Sequence, residues 1–246
     1  MNYELQIAKL GPVPGDRESR ITNPRYEVKI PLPVHWLPDV EAWVRLHPAQ
    51  WRVAYPPRQV NNVYFDTAAF DGLNANLGGV GERAKLRLRW YGDDLARVAD
   101  ANLELKRKQG AVGWKDIAPV SGELALSRQT WSAFGRALRT VVAPQARCWL
   151  DVYAVPVLVN HYRRAYFVTP DGVLRLTIDT ALYAYNQRAS AFPNLRQPVN
   201  QDAMIVVELK APTEAARRLS TVLTHFPVPV DRFSKYVQGV IVAPDF

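Results

Sequence analysis

The segment Arg83–Trp90 alternates strictly between basic and apolar residues. Successive side chains of an extended strand point to opposite faces, so this segment predicts a strand with one wholly basic face. The basic face consists of Arg83, Lys85, Arg87 and Arg89, and the apolar face of Ala84, Leu86, Leu88 and Trp90. One basic face of this kind is explained by a strand that is exposed to solvent on one side. The other strands must therefore show whether the basic faces have a further function.

Five further segments repeat the same design, with apolar residues on one face and charged residues on the other. Their polar faces carry Arg25, Glu27 and Lys29; Glu104, Lys106 and Lys108; Tyr162 and Arg164; Arg175, Thr177 and Asp179; Glu208 and Lys210. A half-exposed sheet usually mixes the signs of its surface charges, because like charges on neighbouring strands repel. Here Arg and Lys dominate, and carboxylates are few on each strand.

Hydrophobic periodicity predicts an α+β fold with an antiparallel sheet or barrel and few helices. Strands are predicted near residues 25–31, 60–66, 82–91, 101–109, 113–120, 149–168 (as two strands), 173–180 and 203–211. Helices are predicted near 38–46, with Pro38 in the first turn, at 127–142, with Ser127 as N-cap, and at 213–225, opened by Thr213. The Pro-rich stretches Pro56–Pro57, Phe192–Pro198 and Pro227–Pro229 are interpreted as loops.

If the basic faces point inward, about eight antiparallel strands would enclose a lumen wide enough for one extended ligand, with the helices packed around the barrel. Buried like charges need partners, so this cationic tunnel predicts a bound polyanion together with a metal ion. Arg offers planar forks and Lys offers point charges, a combination that suits a chain of phosphates. The carboxylates of Glu208, Glu27 and Glu104 are the candidates for holding a hard divalent cation.

The 246 residues include 31 Lys plus Arg and 23 Asp plus Glu, which gives a formal net charge of +8. That total predicts an anionic partner without identifying it. Residues 1–24 are predicted to be an irregular lead-in and residues 25–246 a single domain. No signal peptide or apolar run of about 20 residues is found, so a cytoplasmic protein without a transmembrane segment is expected. The single cysteine, Cys148, lies beside Trp149 and is predicted to be a core thiol.

Eight short motifs, taken in order, resemble the vacuolar transporter chaperone (VTC) polyphosphate polymerase domain, a branch of the triphosphate tunnel metalloenzymes of the CYTH-like superfamily. The motifs are Arg25–Lys29, Val63–Asp66, Lys85–Gly92, Leu103–Lys106, Tyr162–Phe167, Leu174–Thr180, Val207–Lys210 and Phe233–Tyr236. The resemblance implies a tunnel of antiparallel strands surrounded by helices, in agreement with the strand faces.

The resemblance also implies an enzyme that transfers the γ-phosphate of ATP to a polyphosphate chain with a divalent metal, manganese or magnesium. The residues implied in catalysis are Arg87, Arg89, Lys106, Arg164, Arg175 and Lys235. Those implied in substrate binding are Lys29, Lys85, Tyr162 and Lys210. The implied metal ligand is Glu208, with Glu27 and Glu104 as further candidates. Many tunnel enzymes have Glu-x-Glu-x-Lys on the first strand, whereas this chain has Arg25 at the first position, which places more weight on Glu208.

Two alternatives remain open from the sequence. The same fold could hydrolyse inorganic triphosphate or nucleoside triphosphates, and residues alone do not separate synthesis from hydrolysis. A non-catalytic module that binds a polyanion or RNA is the other alternative. RNA-binding sheets place aromatic residues among their exposed basic residues, and the basic face of Arg83–Arg89 has none, so nucleic acid is not the expected partner.

Overall fold

The computed structural model describes residues 20–21, 24–188, 190–200, 203–224, 226, 236 and 239–240. The predicted loop at Pro227–Pro229 and the predicted catalytic residue Lys235 lie outside these residues. So does most of the predicted lead-in, of which Arg20–Ile21 forms a short strand.

Eight antiparallel strands form the framework, and most of them begin and end within two residues of the predicted strands. They are β1 (Arg25–Pro33), β2 (Arg52–Asp66), β3 (Glu82–Tyr91), β4 (Asn102–Gln109), β5 (Val112–Pro119), β6 (Val155–Val168), β7 (Arg175–Asn186) and β8 (Met204–Pro212). Four strands of two or three residues accompany them: Arg20–Ile21, Arg97–Ala99, Glu123–Ala125 and Val199–Asn200.

The eight strands close into a barrel. Hydrogen bonding runs in the order β5-β1-β8-β7-β6-β2-β3-β4 and returns to β5 through the β4–β5 ladder. Closure leaves none of these eight strands without two neighbours, which is the usual way in which an antiparallel sheet protects its edges. The α+β barrel expected from the alternating strand faces is confirmed.

Helices cover the outside of the barrel. They are α1 (Leu37–Leu46), α2 (Asp71–Leu77), α3 (Trp131–Val141), α4 (Arg147–Val152) and α5 (Ala216–Thr224), with 3₁₀ turns at Val34–Trp36, Pro144–Ala146 and Thr213–Ala215.

The hydrophobic core lies between the barrel wall and these helices. One cluster packs the outward side chains of β3 and β4 against Phe134 of α3 and Trp149 of α4. A second cluster packs β1, β7 and β8 against Val44 of α1 and Leu219 of α5. The apolar strand faces therefore point outward and are buried under helices, which leaves the charged faces to line the inside.

The predicted pair of strands at 149–168 is wrong in two respects. Residues 149–152 belong to helix α4, which buries Trp149 and Leu150. The remainder is one long strand, β6, and Pro156 lies inside it without ending it. The β2–β6 register shifts between Tyr64 and Phe65, at the position where Pro156 pairs. A proline is tolerated at such an irregularity because no regular ladder hydrogen bond is required there.

The predicted loop at Pro56–Pro57 is also wrong, because both prolines lie within β2. Among the described residues this part of β2 pairs with β6 only, since pairing with β3 begins at Val60. It therefore has an open edge, and its register shifts on both sides of Tyr55. Prolines are found in strands at such edges and bulges, where the missing N–H leaves no ladder partner unsatisfied.

Two smaller expectations are corrected near the helices. Helix α3 begins at Trp131 and is capped by Thr130, whose Oγ1 accepts a hydrogen bond from the Ala133 amide at 3.2 Å, and not by Ser127. Arg128 has a φ of 63°, which a right-handed helix starting at Ser127 does not allow. Cys148 is exposed rather than buried, because α4 turns its neighbour Trp149 toward the core instead.

Candidate functional site

The charged strand faces meet inside the barrel. Lys106 on β4 contacts Glu27 on β1, although β5 lies between these two strands in the ring. Arg164 on β6 likewise reaches Glu208 on β8, past β7. Side chains of strands that are not neighbours can touch in this way only through the interior, so these residues line the lumen.

The first group of lumen residues is centred on two glutamates. Glu27 forms ion pairs with both Lys29 and Lys106. Glu208 binds Lys210, with 2.6 Å between Oε1 and Nζ. Burial opposes the charged form of Glu27 and Glu208 repels it, but the three neighbouring lysines prevail and hold the pKa of Glu27 well below its usual value. Glu27 is therefore ionised in this setting.

Arg164 links this group to Asp179 on strand β7. Its Nε and Nη2 donate to the two carboxylate oxygens of Asp179 at 2.5 and 2.7 Å, and Nη2 also lies 3.3 Å from Oε2 of Glu208. Asp179 is fully buried. The bidentate geometry fixes the guanidinium plane, which is the form in which arginine recognises carboxylate or phosphate most specifically.

The second group surrounds Glu104. Arg87 donates from Nε to Oε2 of Glu104 at 2.7 Å, and Lys115 forms an ion pair with Oε1. Arg87 Nη1 also lies 3.5 Å from the hydroxyl of Tyr64. Glu104 thus links β3, β4 and β5, with a cation on each of its oxygens.

Arg89 is held in the lumen by neutral groups. Its Nε donates to Oδ1 of Asn62 at 2.8 Å and its Nη2 donates to the hydroxyl of Tyr162 at 2.9 Å. Asn62 donates in turn to Asn160 at 2.8 Å. Because none of these partners is charged, the positive charge of Arg89 is not neutralised by these hydrogen bonds.

Cations outnumber carboxylates among the described lumen residues. The cations are Lys29, Lys85, Arg87, Arg89, Lys106, Lys115, Arg164 and Lys210. The carboxylates are Glu27, Glu104, Asp179 and Glu208, together with Asp66, whose charge acts on Lys85. The lumen therefore has an excess of positive charge in a low-dielectric interior, an arrangement that an anionic ligand would stabilise.

Burial lowers the pKa of four lumen lysines, Lys85, Lys106, Lys115 and Lys210. Burial lowers the pKa of Lys106 to about 7, aided by the charge of Lys29 and opposed by Glu27. Burial likewise lowers the pKa of Lys115 to about 8, aided by Arg87 and opposed by Glu104. A phosphate placed beside these ammonium groups would favour their charged forms.

A polar atom beside the acidic residues lacks a hydrogen bond. The hydroxyl of Thr177 is buried and has no hydrogen-bond partner within the described part of the chain. Thr177 lies directly opposite Glu208 in the β7–β8 ladder, so the two side chains share the inner face. A hydroxyl of this kind is suited to a ligand oxygen.

The carboxylates of the lumen are candidate metal ligands. Within the described residues no three His, Cys, Asp or Glu side chains are grouped closely enough to hold a metal by themselves. Glu208 is close enough to Glu27 for its negative charge to act on the pKa of Glu27. Two oxygen-donor carboxylates fit a magnesium- or manganese-type ion that takes its remaining ligands from phosphates and water.

The structure brings most of the sequence-predicted site residues together. The inner face of the barrel carries Lys29, Arg87, Arg89, Lys106, Tyr162, Arg164, Lys210 and the three glutamates. Lys85 lies opposite Lys106 in the β3–β4 ladder, with its Nζ 5.0 Å from the ring centre of the buried Tyr236. Arg175 is exposed at the start of β7, opposite Lys210.

Sequence reasoning missed three polar residues of the lumen: Asn62, Lys115 and Asn160. It placed Asp179 on the polar face of its strand but gave it no role as a partner for arginine. Lys115 is the single charge on its face of β5, and Asn62 and Asn160 interrupt apolar runs. Their pairing across strands became evident only from the register of the barrel.

No helix among the described residues is long and apolar enough to cross a membrane.

Comparison with known proteins agrees with the geometry of the lumen. The family model for the VTC domain matches residues 25–243, which is almost the whole chain. No curated protein sequence matches.

Solved structures resemble the chain at low identity. HpAC1 from Hippeastrum, a candidate adenylyl cyclase described as having a dominant triphosphatase activity, is 18% identical, with a TM-score of 0.48, 89% of this chain and 97% of that chain covered. A candidate adenylate cyclase from Vibrio parahaemolyticus is 12% identical, with a TM-score of 0.45 and coverages of 85% and 95%. Because both TM-scores are below 0.5, the family assignment rests on the family model alone.

Proposed function

The chain belongs to the VTC domain family, and we propose that it is a polyphosphate polymerase-type phosphotransferase, which transfers the γ-phosphate of ATP to the end of a polyphosphate chain inside its barrel. One observation carries the proposal: a closed barrel whose described inner face holds more cations than carboxylates. A linear polyanion matches the charge of this lumen.

Phosphoryl transfer needs little covalent chemistry from the protein. A terminal phosphate oxygen of the acceptor is already ionised at neutral pH, so no general base is required. The reaction depends on aligning acceptor and donor and on neutralising the charge that spreads over the transferred group. Fixed arginine planes and lysine ammonium groups perform both tasks in a site that excludes bulk water.

The proposed roles are those implied by the family motifs in the sequence. The catalytic group comprises Arg87, Arg89, Lys106, Arg164, Arg175 and Lys235, and the substrate-binding group comprises Lys29, Lys85, Tyr162 and Lys210. Arg89 is the strongest candidate for a phosphate contact, because its described partners Asn62 and Tyr162 are neutral. Arg164 is held in one plane by Asp179, which orients its remaining charge toward Glu208 and the lumen.

Glu27 and Glu208 are the proposed metal ligands. A divalent ion held there would neutralise phosphate charge and fix the orientation of the oxygens. Lys29, Lys106 and Lys210 now contact these carboxylates, and phosphates would offer the lysines new partners. Glu104 remains a candidate ligand, although both its oxygens contact cations.

The test is incubation of the purified protein with ATP and manganese, followed by separation of the phosphate products on a gel. A ladder of long chains is expected. Arg89→Ala should abolish the ladder. Arg97→Ala should not, because Arg97 is largely exposed and pairs with Glu123 outside the lumen. Release of free phosphate without any chain would contradict the polymerase proposal and favour hydrolysis.

A further inference from the structure

Three tyrosines surround an arginine at one end of the lumen. The Cζ atom of Arg58 lies 4.1 Å from the ring centre of Tyr91, 5.1 Å from that of Tyr166 and 5.7 Å from that of Tyr55. Arg58 Nε also lies 3.3 Å from the Tyr166 hydroxyl. We call this group of Tyr55, Arg58, Tyr91 and Tyr166 the aromatic rim.

The aromatic rim continues the inner face of the barrel. Arg58 lies directly opposite the lumen residue Arg164 in the β2–β6 ladder, and Tyr55 lies opposite Tyr166. Tyr91 follows Arg87 and Arg89 in the alternation of β3. Residues opposite each other in a ladder share a face, so the rim leads directly into the cationic part of the lumen.

The rim exposes aromatic surface that the fold does not use. Tyr55 is 59% exposed and Tyr91 is 38% exposed, whereas Arg164, opposite Arg58, is 6% exposed. The Tyr55 and Tyr166 rings meet edge to face with their centres 5.8 Å apart. Pro56 and Pro57 follow Tyr55 directly and restrict its backbone. The exposed rings are therefore held in place before any ligand binds.

We propose that the aromatic rim binds the nucleobase of a nucleoside triphosphate whose phosphates extend into the lumen. The lumen matches an anionic chain and the rim matches a flat aromatic group, and a nucleoside triphosphate joins these two chemistries in one molecule. An inorganic polyphosphate would gain nothing from tyrosine rings. Base stacking on tyrosine, supported by the guanidinium plane of Arg58, supplies the binding energy.

This inference rests on the proposed use of ATP and adds the residues that distinguish a nucleotide from an inorganic phosphate chain. Stacking tolerates every base, because each base has a π-face. The rim therefore favours nucleotides over tripolyphosphate without selecting strongly among bases. The nucleotide would therefore enter at the end of the barrel where the aromatic rim lies.

The test compares two ligands by titration calorimetry: a non-hydrolysable β,γ-imido analogue of ATP and inorganic tripolyphosphate. Wild type is compared with Tyr91→Ala and Tyr55→Ala, and with Tyr91→Phe and Tyr55→Phe, which keep the ring. Each alanine variant should weaken binding of the nucleotide analogue by about fivefold or more, and change tripolyphosphate binding by less than about twofold. The phenylalanine variants should resemble wild type. Phe192→Ala removes another exposed aromatic side chain, one that lies outside the rim, and serves as the matched control.

Equal loss of affinity for both ligands, or no loss for either, would overturn the inference. The phenylalanine variants separate a stacking role from a loss of local structure. The binding comparison does not depend on turnover, so it is independent of the gel assay for polymerase activity. If the rim variants lose nucleotide binding selectively but the wild type forms no chains, the nucleobase site is supported and the polymerase proposal is rejected. If the wild type forms chains but the rim variants bind both ligands normally, the polymerase proposal is supported and the nucleobase site is rejected.

Discussion

Lys106 contacts both carboxylate oxygens of Glu27 across the lumen, with its Nζ 2.8 Å from Oε1 and 3.0 Å from Oε2. The pair connects β4 with β1 without a ladder between them, so it depends on barrel closure. Its two members respond differently to burial. The pKa of Glu27 falls well below its usual value, whereas that of Lys106 falls to about 7. Glu27 is therefore ionised at neutral pH, whereas Lys106 titrates close to neutral pH.

Binding of tripolyphosphate is expected to weaken as the pH rises from 7 to 9. Below about pH 7 Lys106 is charged in the free protein, and above it the lysine must take up a proton before it can pair with phosphate. Lys115 behaves in the same way with its pKa of about 8. Calorimetry at pH 8 in two buffers of different ionisation enthalpy should reveal proton uptake on binding.

Lys106→Arg provides the control for this pH dependence. Arginine stays charged throughout the range, so the affinity of the variant should fall less steeply between pH 7 and 9. Lys85, Lys115 and Lys210, whose pKa values burial also lowers, would account for the slope that remains. An identical slope in wild type and variant would show that Lys106 does not titrate on binding.

Arg164→Ala is expected to destabilise the fold strongly. Removing the guanidinium leaves Asp179, which is fully buried, without its bidentate partner. Breaking one side of a buried ion pair costs about 3–5 kcal/mol of unfolding free energy. Urea denaturation followed by circular dichroism measures the loss.

The exposed pair Arg139–Asp151 offers a matched comparison. Arg139→Ala should cost about 1 kcal/mol or less, because exposed ion pairs are screened by water. A combined Arg164→Leu and Asp179→Leu variant should recover part of the stability lost in Arg164→Ala, since no buried charge is then left alone. Similar costs for the Arg164 and Arg139 variants would contradict this account of the lumen.

The barrel could be predicted because its strands obey a strict two-residue period. In β3 every basic residue of Arg83–Arg89 falls on one face, so the direction of each side chain follows from the sequence. The predictions failed where prolines and short helices interrupt that period. Pro56 and Pro57 read as a loop, yet they lie in a strand at an open edge, and residues 149–152 form a helix because Trp149 and Leu150 pack inward.

The pairing of the charges could not be predicted from the same pattern. Alternation places Lys106 and Glu27 on inner faces, but their contact depends on the tilt of the strands and on the offset at closure. The same holds for Arg164 and Glu208. A sequence predicts which residues enter the lumen, and only the register shows which of them meet.

Thr130→Ala is expected to lower the free energy of unfolding by about 1 kcal/mol, because Thr130 caps helix α3 through the Ala133 amide. Ser127→Ala, at the position that the sequence suggested, should leave stability nearly unchanged. Urea denaturation of the two variants under the same conditions measures the difference. A larger loss for Ser127→Ala would place the beginning of the helix where the sequence prediction had it.

Glu208→Gln is expected to weaken binding of manganese in the presence of tripolyphosphate by at least about tenfold, because it removes one of the two carboxylates that lie together in the lumen. Electron paramagnetic resonance of Mn²⁺ measures this without reference to turnover. Glu104→Gln tests the specificity of the effect, since it removes the charge that Arg87 and Lys115 share. Glu104→Gln should lower the free energy of unfolding and leave manganese affinity nearly unchanged. Equal losses of manganese affinity in the two variants would mean that charge in the lumen, and not coordination by Glu208, controls metal binding.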